Sequence, residues 1–394
     1  MKINSNTMTN GINKVIDQTL ANGKIVGTSV VVAKHGQVIF ERHAGFANQE
    51  AATLVSANTI FRFASMTKPI VSATTMALIE RGMLDLDDNI TKWLPNFTPT
   101  LQNGTEAIIT IRHLLTHTSG LTHGFLDPQN EPYKSAGISE GLDDLVPSID
   151  ENLQRLAQVP LSFNPGTNWG YSLATDVLGA ILEKICNKPL SDIVADFITT
   201  PLAMHDTVFH IDTKDEKYTR LSMAYADSDD GSNAPKIMKE QQKVLFTEGG
   251  GFIHYTPSRI TNNLVYNSGG AGMAGTARDY IKFLELIRTG GGGIINANSV
   301  NLMTSDQVPT LDVAAAGPGY GFGMGFAIVR DSKIAGTPRK AGSFEWGGVY
   351  GSKMFVDPKS ELSVVMLTNT AIYGLMGSYP NDLTKAIYEA FCNA

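Results

Sequence analysis

The sequence predicts an α/β protein of the α+β type: an antiparallel β-sheet flanked by helices, with an all-helical subdomain inserted into it. Three observations predict it. Strand–turn–strand patterns stand near both ends, helical periodicity fills the stretch between them, and 394 residues exceed one ordinary core. Residues 12–20 carry the apolar spacing of an amphipathic helix. Residues 28–34, the pair His35-Gly36 and residues 37–42 then read as two antiparallel strands about a tight turn. The far end repeats this pattern with residues 352–356, the turn Asp357-Pro358-Lys359 and residues 362–367, followed by a helix over 383–391. The simplest closure joins both hairpins in one sheet with the terminal helices on a face. Between them, residues 69–81, 111–116, 153–157, 174–185 and 190–198 read as helices separated by Pro/Gly/Asp-rich loops. The expected division is therefore 1–86 and 200–394 in the α/β domain and 87–199 in the helical subdomain, with the cleft at their boundary. The loop over 120–150 is long enough to be a functional rim.

Composition narrows the function. Hydrophobic residues at 42% and charged residues at 18% fit a globular chain and argue against disorder. With 31 basic against 38 acidic residues the net charge is −7, so no global positive field gathers phosphate backbones, and nucleic acid is not an expected partner. Cys186 and Cys392 are too few for a disulfide scaffold or a Cys-rich zinc site and read as free thiols. The opening residues have no continuous apolar run, and later runs are too short to cross a bilayer. The expected location is cytoplasmic, with no membrane partner.

Chemistry concentrates in three segments. In Phe61-Arg-Phe-Ala-Ser65-Met-Thr-Lys68-Pro69, positions 65 and 68 share a helix face, so hydroxyl and amine fall within hydrogen-bond reach. Pro69 is tolerated only in a first turn, which puts Ser65 at the helix start, where free N–H groups favour negative charge. A serine is a weak nucleophile until a neighbouring base takes its proton, and a desolvated lysine supplies one. The simpler alternative is a Ser65 cap and an exposed Lys68. Tyr171 stands in a turn-rich stretch before the helix at 174, where a phenol can serve as base or proton shuttle; the alternative is a core tyrosine, with Ser172 as helix cap. In Trp346-Gly347-Gly348-Val349, glycines allow a substrate to approach an edge strand whose N–H, with that of Ser65, would hold an oxyanion. A bulge or turn is the competing account.

In the order Ser65-x-x-Lys68, Tyr171-Ser-Leu, Trp346-Gly-Gly, the chain resembles the serine β-lactamase and penicillin-binding-protein superfamily, and within it the family VIII carboxylesterases that look like class C β-lactamases. His113-Leu-Leu-Thr-His-Thr-Ser-Gly-Leu121, Pro165-Gly and Gly269-Gly-Ala-Gly extend the likeness over nearly the whole chain. The resemblance implies a class C β-lactamase-like fold and hydrolysis of small carboxylic esters without metal or organic cofactor. It also implies Ser65 as acylated nucleophile, Lys68 and Tyr171 sharing proton transfer, the N–H groups of Ser65 and Val349 as oxyanion hole, and Trp346, Gly347 and Gly348 lining the pocket. The chain departs from the β-lactamase pattern at Leu173 and Trp346, where an amide and an ammonium usually stand. That departure favours a neutral ester over an anionic β-lactam and leaves only weak β-lactam hydrolysis. A D-amino-acid peptidase or amidase, a β-lactamase and a penicillin-binding sensor without turnover are the competing functions.

Other motifs are weaker. Gly270-Ala-Gly272-Met-Ala-Gly275 matches a dinucleotide fingerprint but lacks the preceding strand and the following acidic residue; Thr276 capping a helix suffices to explain its setting. His113 and His117, expected to face one way on a helix with His123 nearby, invite a metal site but lack its glutamate, and they suit a helix terminus. Tyr320, in a Gly/aromatic strand, is expected to contribute to the substrate rim.

Overall fold

A computed structural model describes residues 9–126, 131–145, 148–227, 234–246 and 248–392. The opening residues 1–8, read above as free of an apolar run, lie outside the described residues, as do 127–130 and 146–147 of the expected rim loop.

The main sheet contains β1 (Gly27–Lys34), β2 (Gln37–Asn48), β3 (Thr53–Leu54), β4 (Tyr320–Phe322), β5 (Ala327–Val329), β6 (Phe344–Gly348), β7 (Ser352–Asp357) and β8 (Leu362–Thr368). Its order is β4-β5-β6-β7-β8-β1-β2-β3, antiparallel throughout. The terminal hairpins share this sheet as expected, with β1 against β8 from Thr28↔Thr368 to Lys34↔Leu362. His35 and Gly36, with φ of 52° and 81°, supply the left-handed pair that a two-residue hairpin turn requires.

The longer helices among the described residues are α1 (Asn10–Ala21), α2 (Thr67–Glu80), α3 (Ala174–Cys186), α4 (Ala277–Arg288) and α5 (Ser378–Phe391). Strand side chains alternate in direction, so the sheet has two apolar faces. Val30, Val32, Val364 and Met366 meet Ile12 and Ile16 of α1 and Leu383 and Ile387 of α5. Val31, Ala33, Val365 and Leu367 face the main core with α2, α3 and α4. Each such aliphatic side chain contributes about 1.5–3 kcal/mol by burial. Helix α2 is the centre of that core, buried at every position from Thr67 to Leu78. Its Thr74 and Thr75 hydroxyls donate back to the Ile70 and Val71 carbonyls at 2.9 Å each, which leaves neither unpaired.

Two local expectations are corrected. Trp346-Gly347-Gly348 is not on an edge strand, because β6 lies between β5 and β7. Yet β5 matches it only at Ala327↔Glu345 and Ile328↔Phe344, so its second half has a neighbour on the β7 side alone. His113 and His117 do not share a helical face: the helix Ile111–Leu115 ends first, and His117 turns away with φ of 56°. His113 belongs instead to a capping box with Thr110. Thr276 caps α4 as read, accepting the Asp279 N–H at 3.1 Å. Among the described residues no helix is long and apolar enough to cross a membrane.

Candidate active site

Ser65 occupies a single 3₁₀ turn, Ala64–Met66, that runs into α2. Pro69 falls in the first turn of α2, where its missing N–H costs nothing because those groups lack intrahelical partners. Ala64, fully buried, has φ of 46°, a conformation that costs a residue with a Cβ roughly 1 kcal/mol or more. Neighbours hold the turn in place. The Phe63 N–H donates to Met273 O at 2.9 Å, Tyr280 Oη donates to Met66 O at 2.8 Å, and Ser352 Oγ donates to Phe63 O at 3.0 Å. Strand β6 presses on the same carbonyl, for a Cβ on Gly348 would stand 1.9 Å from Phe63 O.

Lys68 Nζ donates to Ser65 Oγ at 3.3 Å and to Gly270 O at 3.0 Å, and lies 4.6 Å from the centroid of the Tyr171 ring. Tyr171, 106 residues further on, donates its Oη to the same Ser65 Oγ at 2.6 Å. Ser65, Lys68 and Tyr171 are all buried, at 9%, 2% and 8% exposure, which strengthens these contacts relative to water. One hydroxyl oxygen therefore touches two proton carriers.

The turn before α3 presents Tyr171 through the Gly170 N–H, which donates to His117 O at 2.9 Å. Ser172 is not the cap of α3; that position is Leu173, and Ser172 Oγ pairs with His117 Nδ1 at 3.0 Å. His117, His123 and Trp346 surround the phenol, with ring centres 5.2, 4.7 and 5.3 Å from its own. Burial, aided by the Lys68 charge, holds both imidazoles well below the usual histidine range, so they stand here as neutral packing groups. His123 Nδ1 lies 3.4 Å from Glu140 Oε1. Burial pushes that carboxyl up to about 8 although it accepts the Gly124 N–H at 2.6 Å. Sequence reasoning missed this ring of support. Its only signal was the histidine spacing, and among the described residues no cluster of His, Cys, Asp or Glu is placed to hold a metal ion.

Ser65 and Tyr171 open into a cavity of about 640 Å³, lined also by Trp169, Trp346, Gly347, Val349 and Tyr320. Gly348 does not line it, and serves instead as the close contact with Phe63. Among the described residues, the Ser65 and Val349 N–H groups donate to no other group. Tyr320 reaches the cavity with its Oη engaged, accepting from Arg339 Nη2 at 2.9 Å. Arg339 forms an ion pair with Glu345, whose Oε1 lies 3.6 Å from Lys353 Nζ. Burial, followed by the Arg339 charge, brings Lys353 down to about 7. These three charges also line the cavity and were not foreseen, because only the pairing of β6 with β7 brings Glu345 and Lys353 together.

Known proteins resemble this chain over nearly its full length. The family described as Beta-lactamase matches residues 12–384. Esterase EstB of Burkholderia gladioli is 42% identical over 96% of this chain and 94% of its own. The solved structure of EstCE1, described as a hydrolase with promiscuous acyltransferase activity, superposes with a TM-score of 0.91 at 37% identity, covering 98% of this chain and 99% of that one. The D-amino acid amidase of Ochrobactrum anthropi, at 21% identity and a TM-score of 0.69 over 98% and 99% of the two chains, shares the fold. The expected antiparallel sheet flanked by helices is thus observed, and the chain belongs to the beta-lactamase family, where it stands with the family VIII esterases.

Proposed function

We propose that the protein is a serine carboxylesterase that cleaves short-chain, uncharged carboxylic esters through an acyl-enzyme on Ser65. The single observation that carries this reading is the contact of Ser65 Oγ with both Lys68 Nζ at 3.3 Å and Tyr171 Oη at 2.6 Å. Ser65 attacks the ester carbonyl carbon while its proton passes to this pair. The carbonyl oxygen, now negative, takes hydrogen bonds from the Ser65 and Val349 N–H groups. Collapse of the tetrahedral intermediate expels the alcohol, which leaves with the proton. Water then attacks the acyl-enzyme with the same groups in reverse, releasing the acid and restoring Ser65.

The names of the relatives support ester chemistry, and the side chains support a neutral substrate. Leu173 and Trp346 are apolar, and Arg339 and Lys353 in the cavity already face Glu345. In this reading the helical part, 87–199, supplies Tyr171, while the flanking parts, 1–86 and 200–394, supply Ser65, Lys68 and the Trp346 strand. We further assign the enzyme to the cytoplasm, which the two free thiols fit, with a small-molecule partner rather than nucleic acid, which the net charge of −7 supports.

The test is p-nitrophenol release from p-nitrophenyl butyrate. Ser65→Ala is expected to lower kcat by about 10⁴-fold or more with an unchanged melting temperature. Activity retained in that variant would refute the acyl-enzyme, and faster turnover of nitrocefin or of a matched D-amino-acid amide would refute the ester preference.

A further inference from the structure

The mechanism above leaves unused one buried acid beside its lysine. Asp176, in the first turn of α3, is 3% exposed, and neither carboxyl oxygen has a partner in hydrogen-bond geometry among the described residues. An uncompensated buried carboxylate costs several kcal/mol, so its retention calls for a compensating charge. A Cβ on Gly270 would stand 2.4 Å from Asp176 Oδ2 and 3.3 Å from Lys68 Nζ. The carboxyl and the ammonium thus flank one methyl-sized gap that only glycine leaves open. The Gly270 carbonyl bonds Lys68 from the same place, at 3.0 Å.

The other groups facing Asp176 do not replace Lys68. Arg259 donates to the Asp143 carbonyl and, at 2.8 Å, to Tyr266 O, so its guanidinium is engaged elsewhere. Ser268 and Tyr266 offer hydroxyls without charge. Burial pushes the Asp176 carboxyl above the usual carboxylate range, and the Ser268 hydroxyl and the charges of Lys68 and Arg259 draw it back. The positive end of α3 favours its ionised form as well. Around Lys68, the remaining titratable groups are Tyr171, His117, His123 and Glu140, and both imidazoles disfavour a positive charge of their own there.

Resting on the esterase reading, we propose that Asp176 is a positioning residue, the counter-charge that holds Lys68 as an ammonium in the resting enzyme. Once the Tyr171 phenol has given its own proton to solvent, its Oη takes the seryl proton: the Ser65 O–H bond breaks as the phenolic O–H bond forms, and the proton later leaves with the alcohol. Lys68 acts through its fixed charge, not as the acceptor.

Asp176→Asn removes the charge with little change of shape. The kcat/KM profile for p-nitrophenyl butyrate against pH is expected to lose its alkaline limb about one pH unit earlier, because an ammonium without its counter-charge yields its proton sooner. The expected fall in kcat is about tenfold or more, and the melting temperature falls as well, because the Lys68 charge is left buried without its counter-charge. A purely structural role would lower the melting temperature yet leave both limbs in place, and that result overturns the proposal. Movement of the acid limb instead would make Lys68 the base and overturn it too. Should Asp176→Asn fold poorly, Asp176→Ala takes the same two measurements. A wild type that hydrolyses no ester sinks the esterase reading itself, whereas ester turnover dependent on Ser65 with unmoved limbs sinks only the role of Asp176.

Discussion

Ser65 Oγ accepts two hydrogen bonds in the resting site, from groups that reach it by different routes. Lys68 comes from the same helix start, and its contact was legible in the sequence because Pro69 fixes where the helix begins. Tyr171 was legible as a turn residue before a helix, but nothing in its own segment specifies a distance to Ser65. Removing only its oxygen separates packing from chemistry. Tyr171→Phe keeps the ring against His123 and Trp346, so KM for p-nitrophenyl butyrate should stay within about twofold while kcat falls about 10²–10⁴-fold. His117, His123, Glu140 and Asp176 were not legible as site residues. Each is a polar group whose meaning lies in being buried beside another, and burial of this kind arises only once distant segments meet.

At the scale of elements, the hairpins declared themselves through alternation and turn residues, whereas the place of β6 did not. Its neighbour β5 is short, and the two are joined through residues 330–343 rather than by a tight turn that a local pattern announces. The two glycines of β6 show what that placement does. The missing side chain of Gly348 points at the Phe63 carbonyl, 1.9 Å from where a Cβ would be, while that of Gly347 points at Leu375 Cδ1, 2.2 Å away. A leucine end can rotate aside, but a backbone carbonyl one residue before the strained Ala64 cannot move without dragging the turn. Gly348→Ala is therefore expected to cut kcat tenfold or more, about the cost of misaligning a reacting group, with Gly347→Ala several-fold milder. Stopped-flow acylation rates for both variants check the order, and equal losses would contradict it.

For the whole molecule, the main core runs without a break from the sheet through α2 to α3, whose preceding turn carries Tyr171, and Glu140 is buried beside it. Its carboxyl gives the fold a definite response to pH. The folded value of about 8 lies above the ordinary 4.5, so between these values the native state holds a proton that the unfolded chain has released. The stabilisation is complete below the lower value and is lost as pH rises through the upper one. Glu140→Gln should flatten this decline, by up to about 1.4 kcal/mol per pH unit, in urea titrations between about pH 5 and 8. The same continuity governs when the site comes into being. Ser352 braces the Phe63 carbonyl across 289 residues of sequence, and β1 waits for β8 to complete its ladder. During translation the nucleophile's segment is made early and its brace late, so a growing polypeptide still on the ribosome stays chemically silent until most of the chain has emerged.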